Sequence, residues 1–331
     1  MKKLMIAAAC LILSGCAAEP ARVSFYAMDT FMQITACSGS VAAAERARDA
    51  VYSLESDISV TDSGSELFRA NANGGGELSD GAIELLRRAA EISARTDGAL
   101  DITLYPISRE WGFTTGEYHI PDDAVLAALL ENTGTDRLTL TDGGVVIPDG
   151  MMTDLGAVGK GCAAELVARE LKNAGETSAL ADLGGNIVAI GARPDGTPWR
   201  IGVRDPESSG YLGILELSDA YASTSGNYER YFIGDDGERY CHIIDPATGR
   251  PADSGLSSVT VVGTDGVLCD GLSTAFFVMG KEKTAEYLRE YGGADVILVD
   301  NGGDIFISAG LDGKFRLADG YSDRSVSILG A

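Results

Sequence analysis

Tyr228-Glu229-Arg230-Tyr231-Phe232-Ile233, the turn Asp235-Asp236-Gly237 and then Tyr240-Cys241-His242-Ile243-Ile244 form the stretch that settles the fold class. An aromatic and β-branched run over 228–233, a tight Gly/Asp turn and a second such run read as an antiparallel hairpin. The same grammar recurs at 137–140, 145–147, 179–183, 187–190, 199–203, 213–217, 257–262, 295–299 and 305–308. Residues 24–37 alternate weakly in the same way around Met28. Many of these runs are neighbours joined by short turns, which regular strand–helix–strand alternation would not allow.

Helices are fewer. Helical spacing over 42–54 puts Ala43, Ala44, Ala50, Val51 and Leu54 on one apolar stripe. Ser79-Asp80 caps a helix reaching about Thr96, and Pro121-Asp122-Asp123 opens one to about Asn132. A further helix over 161–173 ends at Gly175, the last runs over 282–291, and 71–76 reads as a Gly/Asn loop. The class is therefore α+β, mainly antiparallel sheets with packed helices. No repeat, low-complexity tract or Pro-rich linker divides it, so residues 23–331 are expected to form one domain.

The chain has 331 residues, 26 Lys+Arg against 49 Asp+Glu, and a formal charge of -23. That is ample length for a core. Nucleic acid is excluded as a partner, because phosphate contacts need clustered bases. Polybasic attachment to anionic lipid is excluded likewise. Lys2 and Lys3 precede an apolar run at 4–13, too short to span a bilayer, and Leu13-Ser14-Gly15-Cys16 follows. This resembles the lipobox of bacterial lipoproteins. It implies a signal peptide at 1–15, lipid on Cys16, a tether over 16–22, and a chain exported and anchored to the cell membrane. Cys37, Cys162, Cys241 and Cys269 show no zinc spacing and read as small core residues, with pairing open.

Three clusters carry chemistry. Asp154-Leu155-Gly156-Ala157-Val158-Gly159-Lys160-Gly161 runs into a helix, so bare backbone, a helix N-terminus and Lys160 could hold phosphate. It fits neither the P-loop nor the dinucleotide fingerprint, and alone such a turn is more often structural. In Asp270-Gly271-Leu272-Ser273-Thr274, a helix would bring the Asp270 carboxylate and the Thr274 hydroxyl onto one face at i and i+4. Two such oxygens suit Mg²⁺, although an N-cap Asp with an exposed Thr is the commoner meaning. His242 stands before the tight turn Asp245-Pro246-Ala247-Thr248-Gly249, where a hydrogen-bonding anchor is more usual than an acid–base group. His119 lies in a polar loop and is read as incidental.

Taken together and in order, these clusters resemble the ApbE family, the FAD:protein FMN transferases. The resemblance runs through Met28-Asp29-Thr30-Phe31-Met32, Ser65-Glu66-Leu67, Asp97 to Thr103, Asp154 to Gly161, Asp182 to Asn186, Ser223 to Tyr228, His242 to Gly249, and Asp270 to Thr274. It implies a T-fold-like architecture. It implies FAD contacts at Met28, Ala99, Leu100, Asp101, Asp154, Lys160, His242 and Ile244. It implies Mg²⁺ held by the Ala157 main-chain oxygen, Asp270 and Thr274, with His242 and Asp270 as the catalytic candidates. The implied reaction moves FMN from FAD to a Thr of an acceptor flavoprotein subunit, of a membrane-associated electron-transfer kind, and releases AMP. FAD hydrolysis to FMN and AMP, or flavin binding without chemistry, would use the same surface. Two departures stand out: Ser59-Val60-Thr61-Asp62 lacks a Tyr that many relatives stack on the flavin, and Asn186 replaces a common Asp.

Overall fold

The computed structural model describes residues 19–330. The expected signal peptide and the start of the tether, Cys16 included, lie outside the described residues. The chain opens with the hairpin β1 (Ala21–Ala27) and β2 (Thr30–Ala36), so the expected tether ends in a strand rather than leading up to one. Helices α1 (Val41–Ile58), α2 (Glu66–Asn73) and α3 (Asp80–Arg95) follow, with β3 (Gly75–Glu77) before α3. Then come α4 (Tyr105–Glu110), α5 (Asp123–Leu130), β4 (Thr139–Leu140), β5 (Gly144–Val146) and α6 (Gly156–Asn173). Seven strands succeed: β6 (Ala179–Asp182), β7 (Asn186–Ile190), β8 (Trp199–Arg204), β9 (Tyr211–Leu217), β10 (Ala220–Gly226), β11 (Tyr231–Ile233) and β12 (Arg239–Cys241). The chain closes with β13 (Leu256–Gly263), α7 (Gly266–Tyr291), β14 (Asp295–Asp300), β15 (Ile305–Ile307), β16 (Phe315–Leu317) and β17 (Val326–Ile328).

Nine strands build the main sheet in the order β1-β2-β6-β7-β10-β13-β14-β15-β17. Every pairing in it is antiparallel except β15 with β17. The α+β reading stands. One sheet face packs on α1, α6 and α7, with α3 against those helices, through residues such as Ile34, Val51, Leu86, Val167, Val259 and Phe276. Part of the opposite face is covered by the three-stranded sheet β16-β9-β8 through Leu212, Leu215, Ile297 and Ile305. A satellite cluster gathers around Trp111, whose indole N–H donates to the Gly249 carbonyl at 2.8 Å.

Several boundaries differ from the sequence reading. Residues 24–37 are two strands, because Met28 and Asp29 both take positive φ (49° and 59°) and make a two-residue hairpin turn. Asp tolerates that region, but for Met it is strained. Its N–H is held by Glu55 Oε1 at 2.6 Å. Residues 71–73 are helix, not loop: Asn71 is buried and its amide bonds both the N–H (2.7 Å) and the carbonyl (2.8 Å) of Thr153. The α6 helix starts five residues before the expected Gly161, taking in most of the glycine-rich stretch. The expected helix over 282–291 is the far part of α7, broken at Gly280 by φ 78°. Strand β10 was not expected at all.

α7 is placed by charge at its start. Arg88 on α3 forks onto Glu165 at 2.7 and 2.8 Å and reaches Asp265 at 2.6 Å. Glu165 Oε1 accepts the N–H groups of Gly266 and Val267, while Asp265 caps Leu268 N–H, so orphan donors of the first turn are satisfied.

Candidate functional site

Asp270 lies in the second turn of α7 and is 3% exposed. Its Oδ2 accepts the Gly161 N–H of α6 at 2.8 Å. Its Oδ1 accepts Asn186 Nδ2 at the start of β7 and Ser223 Oγ of β10, both at 3.0 Å. Four elements therefore meet on one carboxylate. The helices can meet so closely only without a side chain at 161: a Cβ there would stand 2.3 Å from the Gly266 carbonyl oxygen and 2.7 Å from Asp270 Cβ. Gly161 thus serves helix packing, not a phosphate-holding loop. Its N–H is the amide an α-helix aims at the carbonyl of residue 157, so Asp270 competes with Ala157 for that donor.

Thr274 shares the Asp270 face, as the i, i+4 spacing predicts, and a run of hydroxyls joins them. Ser223 and Ser225 project from one face of β10. Ser273 Oγ lies 3.3 Å from Ser223 Oγ and 2.8 Å from Ser225 Oγ, and Ser225 Oγ lies 3.3 Å from Thr274 Oγ1. Beside them the buried Asn186 Oδ1 has no hydrogen-bond partner. Turning that amide over would set its oxygen against Asp270 Oδ1, so the orientation is fixed by its neighbour. The donors are all oxygens: one carboxylate, hydroxyls, an amide oxygen and the Ala157 carbonyl nearby. Among the described residues no group of three or more His, Cys, Asp and Glu forms a metal cluster. Such a set fits a hard cation such as Mg²⁺, which completes its shell with water and phosphate oxygens, and does not fit zinc.

The second part of the site is charged. His242 follows β12, and its main-chain N–H donates to the Arg230 carbonyl at 3.0 Å. Nδ1 stands 3.2 Å from the same oxygen, which assigns the proton to Nδ1 and the lone pair to Nε2. Burial, together with the positive charges of Arg230 and Lys160, pushes the imidazole down to about 4. Asp154 is raised by burial, and the Gly156 N–H, Arg230 and Lys160 pull it partly back. Glu229 is raised by burial against Lys160 and Arg204. Arg230 links this cluster to the first hairpin, 3.9 Å from Asp29.

The His242 shift has a checkable sign. The folded value lies below the ordinary 6.5, so folding favours the neutral ring; the stability it contributes is full above pH 6.5 and is lost as pH falls toward 4. NMR of ring-labelled protein is expected to show a neutral imidazole at pH 5.5. Titration near 6.5 would mean the ring is solvated.

The remaining expected contacts scatter more. Met28 sits at the strained hairpin tip beside Asp29. Ala99 is half-buried, but Leu100 is 1% exposed and can offer only main-chain atoms. Asp101 Oδ1 is engaged by Thr103 N–H (2.8 Å), Thr103 Oγ1 (2.6 Å) and Thr135 Oγ1 (2.9 Å), so this oxygen holds a turn. Ile244 is buried with Trp111, which leaves its backbone for any ligand. His119 pairs with Glu110 at 3.3 Å in an exposed loop, as expected. All four cysteines among the described residues are free thiols. Spacing alone did not flag the parts played by Ser223, Ser225, Ser273, Glu229 and Arg230; the period-two pair Ser223/Ser225 was the one available signal. An open groove of about 660 Å³ lined by Arg193, Arg200, Ile214, Glu216 and Arg316 contains none of these residues.

Comparison with known proteins identifies the family. The ApbE family model matches residues 28–298. A protein of Klebsiella pneumoniae named FAD:protein FMN transferase is 32% identical, over 89% of this chain and 91% of its own. A Vibrio cholerae protein of the same name is 36% identical, over 66% of this chain and 68% of its own. Among solved structures, the ApbE protein of Thermotoga maritima superposes with a TM-score of 0.84 at 30% identity, covering 90% of this chain and all of that one. The flavinyl transferase ApbE of Pseudomonas stutzeri gives 0.80 at 29%, covering 90% and 97%. Fold and relatives place the chain among the transferases. It belongs to the ApbE family.

Proposed function

We propose that this chain is a Mg²⁺-dependent FAD:protein FMN transferase, which attaches FMN through a phosphoester to a Thr of an acceptor protein and releases AMP. The observation that carries this is the all-oxygen cluster on Asp270, with its unpartnered Asn186 Oδ1, bonded to the helix α6 that also presents Lys160. The names of the relatives support the donor and the protein acceptor.

In this reading, Lys160 and Arg230 attract and orient the pyrophosphate of FAD in a chain whose overall charge of -23 repels it. The hydroxyl oxygen of the acceptor Thr forms a bond to the FMN-side phosphorus. The bond from that phosphorus to the bridging oxygen breaks, and AMP departs with that oxygen. His242, neutral with its Nε2 lone pair free, accepts the hydroxyl proton. The nearby anion offsets Arg230 and Lys160, which raises the ring's proton affinity when it is needed. Ala157 O, Asp270 and Thr274 would hold Mg²⁺, which supplies charge neutralisation at the pyrophosphate oxygens. Because the transition state is loose, positioning and charge outweigh proton transfer.

The lipobox-like Leu13-Ser14-Gly15-Cys16 supports export and a lipid anchor on Cys16. An enzyme anchored in this way would meet a membrane-associated electron-transfer flavoprotein subunit as its acceptor. Incubation with FAD, Mg²⁺ and such a subunit should add the mass of one FMN to the subunit and release an equal amount of AMP. AMP without a mass gain would indicate hydrolysis, and FAD binding without AMP would indicate a flavin carrier. Either result overturns the transferase.

A further inference from the structure

We propose that the outer face of the β1–β2 hairpin rests on the lipid surface, with Tyr26 and Phe31 at headgroup level, an inference that rests on the lipid anchor proposed above. In this hairpin Arg22 pairs with Thr35, Ser24 with Gln33 and Tyr26 with Phe31. Alternation puts these six side chains on one side of the sheet, while Val23, Phe25, Met32 and Ile34 turn to the helices on the other. Gln33 Nε2 donates to Ser24 Oγ at 3.1 Å across that outer face. Tyr26 and Phe31 are 64% and 63% exposed, more than any other large apolar side chain among the described residues. The small sheet β16-β9-β8 does not reach them. It packs on the main sheet from β6 onward, through Leu180 and Ile187, and β1 is the sheet's edge.

The length of chain before the hairpin says what meets this face. Cys16 and Ala21 are five residues apart, which at full stretch is at most about 18 Å. Lipid on Cys16 therefore holds the start of β1 within that distance of the acyl chains. The seven residues of β1 add about 23 Å. A hairpin laid flat brings its aromatic pair to the interface, whereas an upright one lifts the pair into water. Charge favours the flat posture. Arg22 is the one charged side chain on the outer face, in a chain with 49 Asp+Glu. The next carboxylate along the sheet, Asp182 opposite Gln33, is engaged by the Gly184 and Gly185 N–H groups at 3.1 and 3.2 Å. Asp29 at the tip lies 3.9 Å from the Arg230 guanidinium. The acid excess that repels anionic lipid elsewhere is thus offset here. A Tyr ring settles at the boundary between headgroups and acyl chains, and an Arg nearby reaches lipid phosphate. Because Asp29 ties the hairpin tip to Arg230, the flat posture also holds the flavin site close above the membrane surface.

The test uses the full lipidated chain in vesicles of phosphatidylcholine and phosphatidylglycerol whose acyl chains carry bromine just below the headgroups. Phe31→Trp and, separately, Tyr26→Trp should each lose emission about twofold relative to unbrominated vesicles, as a ring at the interface must. The wild type supplies the background of Trp111 and Trp199. Tyr291→Trp, 47% exposed at the end of α7 on the helix side of the sheet, should keep its emission. A chain that floats with the vesicles while neither hairpin variant is quenched overturns the proposal and leaves the anchor standing. Equal quenching of Tyr291→Trp overturns it too, because no face is then selected. A blue shift without quenching, present only at high protein density or only with an acceptor subunit, assigns the face to a second copy or to that subunit and overturns it as well. A chain that does not float with the vesicles overturns the anchor, and this inference with it. If Phe31→Trp does not fold, Tyr26→Trp decides alone.

Discussion

Asp270→Ala is expected to lower kcat/KM for FMN transfer by about a thousandfold or more, which corresponds to the several kcal/mol that metal charge stabilisation supplies. The substitution removes the one carboxylate of the oxygen cluster. It also strands three donors, Gly161 N–H, Asn186 Nδ2 and Ser223 Oγ, each costing about 1–3 kcal/mol if left unpaired in the interior. A fall in stability should therefore accompany the loss of activity. Asp270→Asn separates the two effects. Its amide oxygen still accepts from these neighbours, so much of the stability should return while transfer stays low. His242→Ala should cost less, about a hundredfold, because general base catalysis sits at the low end of its range when the transition state is loose. Equal losses for the Asp270 and His242 alanine variants at saturating Mg²⁺ and FAD would reject that order.

Gly161→Ala is the second large expectation, and it acts on the fold first. The added methyl meets a backbone carbonyl at 2.3 Å and Asp270 Cβ at 2.7 Å, neither of which can swing aside. α6 must move off α7. Overpacking of this kind costs roughly 3 kcal/mol. For a domain of this size that is a drop of roughly 4–5 °C in Tm, read by calorimetry. The same displacement lengthens the Gly161–Asp270 hydrogen bond, so Mg²⁺ affinity should fall in step with Tm. A variant as stable as the wild type would show that the helices are not pressed together there.

Much of the site was legible from residue order. Asp270 and Thr274 needed only the helical period to be placed on one face, and the tight turn after His242 was fixed by Asp245, Pro246 and Gly249. The misreadings share one cause. Residues 71–73 and 156–160 read as loops because Gly and Asn have weak local preference for helix. Asn71 is helical because its amide is satisfied by Thr153, and at Gly161 the absence of a side chain is what lets α7 come so near.

β10 makes the same point more sharply. Ala220-Tyr221-Ala222-Ser223-Thr224-Ser225-Gly226 is small and polar, with little strand propensity of its own. It becomes a central strand because β7 and β13 pair with it on both sides. Only then do Ser223 and Ser225 turn together toward α7.

The sequence by itself determined the α+β class and the shared face of Asp270 and Thr274, since alternation, capping and helical period are local properties of the chain, and the order of its motifs marked the family. The tertiary structure alone decided that Gly161 lets two helices come into contact and that Asp270 is gripped by three other elements. Those depend on what lies across the gap between elements far apart in the chain, which no local pattern encodes.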